Sequence, residues 1–155
     1  MKRGTVVSVN ISAGGVPKLP VDSVMVGLDS IEGDGHNDRK HHGGPERAVC
    51  LYSAELIAGL RGEGHPIEAG WAGENFTISG IDWSLMQPGV RLTIGAAEIE
   101  LTAYTTPCKT IRASFTSGNF VRISHTMNPG WSRVYGKVLV AGRVARGDHV
   151  ELTGP

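Results

Sequence analysis

Two stretches of this chain hold side chains that can do chemistry. The first, Gly33 to Arg47, gathers His36, His41 and His42 with Asp34, Asp38, Arg39, Lys40 and Arg47. It also contains Gly33, Gly35, Gly43, Gly44 and Pro45, so neither a helix nor a regular strand is expected to cover it. Its glycines permit positive φ and a close approach of backbone to a ligand. The second stretch, Thr105 to Thr110, places Cys108 directly after Pro107 and directly before Lys109. A cation or the first N–H groups of a helix favour the thiolate, which is both a nucleophile and a soft metal ligand. In this polar setting Cys108 is the candidate for chemistry, although a free cysteine is most often inert packing. Cys50 lies among apolar residues of an expected strand and is read as packing.

Several chemistries are open to these residues. The three histidines with Cys108 could bind zinc, but their spacing matches no structural zinc pattern. Cys108 with His42, oriented by Asp34 or Asp38, would make a cysteine hydrolase dyad or triad, a grouping that geometry alone identifies. Neither the Walker spacing nor the Gly-x-Gly-x-x-Gly fingerprint is present, so the glycines do not form a phosphate loop. Arg47, Lys109, Arg112 and Arg133 are candidate partners for an anion, each more often a solvated charge when taken alone. Glu74-Asn75-Phe76 reads as a strand start, and Trp131 and Tyr135 beside Pro129-Gly130 read as a lid or as core.

Short strands must position these groups. Gly4 to Ile11 alternates with a period of two, and Val21 to Leu28 does so after the turn chemistry of Pro17 to Pro20. Arg47 to Tyr52 predicts a buried strand. Ser53 then predicts an N-cap for a short helix with Leu56, Ile57 and Leu60 at helical spacing, ended by Gly62 or Gly64. Strands are expected at Glu74 to Ile78, Val90 to Ile94 and Glu98 to Leu101, with two short helices between Lys109 and Met127. Tyr135 to Val140 and Arg143 to Leu152 predict a hairpin, a turn and a last strand. Together they predict a mostly β fold, a closed or partly open antiparallel barrel with a few short helices. Parallel βαβ architecture is not expected, because no long helix alternates with the strands.

The chain has 155 residues, 40% of them hydrophobic, which supports one domain over 1–155. Its 15 basic and 15 acidic residues balance, which argues against a nucleic-acid or anionic-membrane partner and leaves a small-molecule substrate. No adequate signal h-region and no apolar run of about 20 residues is present, so the expected location is the cytoplasm, with both cysteines reduced.

Taken in order, Gly33-Asp34 with His36, His42-Gly43-Gly44-Pro45, the strand to Tyr52, Gly73-Glu74-Asn75, Pro107-Cys108, Tyr135 with Val138-Leu139, and Gly147-Asp148 resemble the MOSC domain. That family is named for the C-terminal domain of molybdenum cofactor sulfurases and also occurs as short stand-alone proteins. The resemblance runs from about Thr5 to about Leu152 and implies a barrel-like fold. It implies that Cys108 matches the family's characteristic cysteine, which ligates molybdenum beside the two dithiolene sulfurs of the molybdopterin in members that bind the molybdenum cofactor. Arg47, Lys109 or Arg133 would then meet the anionic pterin phosphate. His36, Gly43, Gly44 and Asn75 would belong to the pocket wall, with His42 and Asp34 as proton-handling groups. Some relatives reduce N-hydroxylated bases and amidoximes. The family's other role makes the cysteine a persulfide carrier supplied by a pyridoxal-phosphate cysteine desulfurase. The sequence has no match to the N-terminal β-barrel extension or the fused reductase domains of larger members, so a reductase would need a separate electron-donor protein. Val134 stands near a position where some short relatives have glycine.

Overall fold

The computed structural model describes residues 2–35 and 45–154. The first strand, β1 (Arg3–Ile11), is the most heavily used: one edge pairs with β5 (Phe76–Ser79), the other with β10 (His149–Gly154) and then β2 (Leu19–Val21). Its sequence alternation is broken by a register shift between Val6 and Ser8 against β5. Val7 is therefore exposed, and Val6, Val9 and Asn10 are all buried. A bulge inserts one extra residue and re-aims the side chains beyond it.

Going round the sheet, β10 is followed by β6 (Arg91–Ile94), β7 (Ala97–Tyr104), β8 (Val134–Val140), β4 (Val49–Ser53), β5 and β1, and β1 returns to β10. Seven strands thus close a barrel, with β2 appended to the far half of β1. The expected mostly β barrel with few helices is what the chain forms. Closure removes the free edges that would otherwise need covering.

One pair departs from the antiparallel pattern: β4 and β5 run parallel, with α1 (Ala54–Gly62) between them in the chain. The helix expected after Ser53 is therefore also the crossover of a single βαβ unit, which periodicity alone did not predict. Ser53 caps it, its Oγ accepting from the Leu56 N–H at 3.1 Å. Glu55 and Arg61 sit in the first and last turns, where they complement the helix dipole. Ile57 and Leu60 face the core, and the helix closes at Glu63 ahead of Gly64 at φ +100°.

Two further expectations need correction. The run Val21 to Leu28 is not one strand: Leu19–Val21 joins β1, and after Asp22 the chain enters β3 (Ser23–Val26). The tail does not form a hairpin across Ala141, because β9 (Gly142–Ala145) leaves β8 and pairs with β3 in a separate two-stranded sheet. Gly142 lies against the backbone of Ala96, where a Cβ would collide with the Ala96 carbonyl.

The barrel holds one continuous apolar cluster built on Val6, Leu51, Phe76, Ile78, Leu92, Ile99, Leu101 and Val138. At Gly136 a Cβ would collide with Ile99 and press on Val49. After β7 the backbone enters 3-10 turns at Lys109–Ser114, Thr116–Gly118 and Phe120–Ile123, where two short helices were expected. Among the described residues no helix is long and apolar enough to cross a membrane.

Candidate functional site

The site is set by how β7 and β8 end. Their pairing has a register shift between Leu101 and Ala103 and runs on to Tyr104 opposite Val134, three residues beyond the strand expected from sequence. The stitch continues past the ladder: the Thr105 N–H donates to the Arg133 carbonyl at 2.9 Å, and the Ser132 hydroxyl donates to the Thr105 carbonyl at 3.1 Å. The segment that carries Cys108 and the segment that carries Arg133 are thereby tied together. Between them opens a cavity of about 630 Å³, within the range of small-molecule and cofactor sites.

Cys108 lines this cavity and is half-buried, at the N-terminal end of the 3-10 turn Lys109–Ser114. Its Sγ lies 2.8 Å from the Thr110 Oγ1. Arg133 lines the same cavity, 5% exposed, and its Nη1 donates to the Ala72 carbonyl at 2.6 Å. Among the described residues its Nε has no hydrogen-bond partner. A buried guanidinium N–H left unpaired is costly and is normally matched by an acceptor. Arg47 is also in the wall, its guanidinium 5.6 Å from the centre of the Tyr135 ring. Lys109 is exposed and is not among the lining residues.

Asn75 is in the wall and is a structural hub. Its Oδ1 accepts from the Cys50 N–H at 2.9 Å and its Nδ2 donates to the Asp34 Oδ2 at 2.8 Å. Its backbone N–H donates to the Cys50 carbonyl, and its carbonyl accepts from the Asn10 N–H. Asp34 receives Lys18 Nζ on both oxygens at 2.6 and 2.9 Å, the Ser12 N–H at 3.0 Å and Asn75. With its side chain 2% exposed, Asp34 fastens the start of the histidine loop to the barrel. His36, His41, His42, Asp38, Gly43 and Gly44 lie outside the described residues.

Several lining residues carried no sequence signal for a site. Lys18, in a stretch read as a turn, is buried in the wall by its pairing with Asp34. Cys50, read as packing, is buried but also lines the cavity, and burial pushes its thiol up, with Arg133 drawing it partly back. Tyr135, read as lid or core, lines the cavity, and burial pushes its phenol up to about 12. It stays a neutral O–H at physiological pH. Below the wall, burial also pushes the Glu74 carboxyl up, against hydrogen bonds from Gly70 and Thr77. No cluster of three or more His, Cys, Asp or Glu able to hold a metal ion occurs among the described residues.

The model of the family described as "MOSC domain" matches residues 38–151. The chain belongs to the MOSC domain family. The uncharacterized protein YflK of Bacillus subtilis (strain 168) is 31% identical over 140 residues, covering 89% of this chain and 62% of YflK. Protein YiiM of Escherichia coli (strain K12) is 27% identical over 143 residues, covering 88% of this chain and 62% of YiiM. The chain thus spans about 62% of the length of these curated relatives. Among solved structures, YiiM from Geobacillus stearothermophilus superposes with a TM-score of 0.74 at 23% identity, covering 97% of this chain and 75% of that one. At that identity the likeness establishes the MOSC barrel as the fold.

The described residues fit the molybdenum cofactor that this family is associated with. A cavity-facing thiol supplies a soft sulfur donor. A buried arginine with an unpartnered N–H supplies a ready contact for an anion.

Proposed function

We propose that this MOSC chain holds the molybdenum cofactor in the barrel cavity, with Cys108 as the protein's sulfur ligand, and reduces an N-hydroxylated small molecule. The observation that carries this reading is the pairing, on one cavity, of the half-buried Cys108 thiol with Arg133, buried and unpartnered at Nε. When bound, the cofactor would supply two-electron chemistry at the metal. Around it, Arg133 holds an anionic group and Arg47 adds charge beside the ring of Tyr135. Reducing an N–OH group to N–H breaks the N–O bond, takes up an electron pair and two protons, and releases water. The electrons come from a separate donor protein. Tyr135, a neutral O–H on the cavity wall, would serve as a hydrogen-bond donor to the substrate.

In the hydrolase alternative, Asp34 is engaged by Lys18, Asn75 and Ser12 and so is poorly placed to orient a histidine, while His42 and Asp38 lie outside the described residues. Protein purified from a host that makes the cofactor is expected to contain molybdenum and to release a pterin, and Cys108→Ala to lose both. Metal-free protein from such a host overturns the proposal.

The sulfur-carrier role is favoured by a different observation. Thr110 Oγ1 lies within hydrogen-bond reach of Cys108 Sγ, where it would also steady a terminal persulfide sulfur. Incubation with a desulfurase and cysteine would then add one sulfur mass at Cys108, with cysteine converted to alanine. No adduct there rejects it.

A further inference from the structure

The wall that carries Cys108 is fastened to the rest of the molecule at a histidine. Residues 107–130 run outside the barrel ladder, and their backbone hydrogen bonds close 3-10 turns and bends within the segment itself. Among the described residues, one backbone group of this segment bonds outside it: the Thr116 N–H donates to His65 Nδ1 at 3.0 Å. Side chains add to that contact. Thr116 Oγ1 donates to the Gly64 carbonyl at 2.8 Å, and Arg122 binds both carboxylate oxygens of Glu63 at 2.9 and 2.8 Å. The segment thus docks on the residues that end α1, and it brings Cys108, Thr110 and Ile111 to the main cavity.

His65 is itself held in place. Its N–H donates to the Leu60 carbonyl at 3.1 Å, its side chain is 9% exposed, and its ring packs on that of Phe115 with centroids 5.3 Å apart. Because Nδ1 accepts a hydrogen bond, the proton of the neutral ring is on Nε2. That nitrogen lies 3.6 Å from Glu63 Oε1, and Glu63 is in turn gripped by Arg122 from the other side. Among the described residues these two are the charged groups around the ring, while Phe115 and Thr116 bring an aromatic face and a backbone N–H. A second proton has to go on Nδ1, where it would point at the Thr116 N–H. Donor then faces donor and the bond is lost.

We propose that His65 is a positioning residue for the Cys108 wall: with Nδ1 bare it pins the 3-10 segment to the end of α1, and its protonation releases the pin and loosens that wall. Histidine is the side chain whose ordinary titration falls between about pH 5 and 8, so the release belongs to mild acid.

The test is amide hydrogen exchange on the purified full chain by NMR at about pH 8 and about pH 5.5, expressed as protection factors so that the intrinsic pH dependence of exchange cancels. Protection of Thr116 is expected to fall about tenfold in acid, the upper range for one lost hydrogen bond. Thr105, whose N–H donates to the Arg133 carbonyl, is expected to keep its protection. The Ile111 methyl signal, in the cavity wall, is expected to shift with the same midpoint as the Thr116 amide. In His65→Asn the side-chain carbonyl can accept in place of Nδ1 and does not titrate, so Thr116 protection and the Ile111 signal are expected to stay constant with pH. Unchanged Thr116 protection in the parent, an equal fall at Thr105, an Ile111 signal that does not follow Thr116, or the same acid response in the variant overturns the proposal.

Discussion

At the scale of single residues, the site separates groups that hold from groups that face a ligand. Asn75 and Asp34 hold: every contact described for them is an internal hydrogen bond or ion pair that ties β1, β4 and the start of the histidine loop together. Cys108, Arg133 and Tyr135 face the cavity. Local sequence could nominate Cys108, because a thiol between proline and lysine in a polar loop is visible in one dimension. It could not separate Lys109 from Lys18, since the lysine beside the cysteine is exposed and the one 91 residues earlier is in the wall. The two thiols should differ in reactivity, as Cys50 is 6% exposed with its thiol pushed up by burial and thiolate is the reactive form. Iodoacetamide on the native protein is expected to give one adduct, at Cys108, and a second at Cys50 only in denaturant. Mass spectrometry showing equal labelling of both in native protein would contradict this.

Glu74 gives a pH prediction at the same scale. Its Oε2 accepts from the Gly70 N–H and the Thr77 hydroxyl, and among the described residues its Oε1 has no partner. Burial raises its carboxyl above the ordinary 4.5. Between 4.5 and that higher value the folded chain keeps a proton that the unfolded chain has released. The stability contributed by neutral Glu74 is therefore complete below the unfolded value and is lost as pH rises through the folded one. Glu74→Gln cannot titrate, so the melting temperature of the variant relative to the parent is expected to increase as the pH rises above 4.5 and the parent's buried carboxyl loses its proton. A difference that does not change with pH rules this out.

At the scale of elements, α1 was legible because capping and helical spacing are local, and Ser53 does cap it. Removing an N-cap costs about 1 kcal/mol, and 1 kcal/mol shifts the melting temperature of a domain of this size by about 2–4 °C. Ser53→Ala is expected to lower the melting temperature by that amount, measured by circular dichroism, and no shift would deny the cap its role. The expected tail hairpin failed for a non-local reason: β9 is recruited by β3, more than a hundred residues earlier in the chain. The length of β7 was hidden for a similar reason. Ala103 and Tyr104 are strand because β8 extends to meet them, not because their own sequence alternates.

At the scale of the whole molecule, a mostly β barrel could be read from many short strands separated by glycine turns. Its closure could not, since the β1–β10 pairing joins Arg3–Thr5 to His149–Glu151 at opposite ends of the chain. The parallel β4–β5 step was hidden as well, because one short helix does not resemble a repeating α/β pattern. A closed sheet around one apolar cluster has no part that can leave without opening the rest. Unfolding in urea is therefore expected as a single transition, with tryptophan fluorescence and far-ultraviolet circular dichroism sharing one midpoint. Separate midpoints would show that the two-stranded sheet or the 3-10 turns melt independently.

The stitch from Thr105 to Arg133 and from Ser132 back to Thr105 has a kinetic consequence. Because backbone hydrogen bonds fix the strand ends behind the thiol and the arginine, their relative placement is set when the barrel folds. Among the described residues, entry of a ligand then has no loop to order between these two groups, and the entropic cost of bringing them together is met during folding. Encounter with this part of the cavity is governed by access and by charge, and residence time by how well the ligand satisfies the waiting N–H of Arg133.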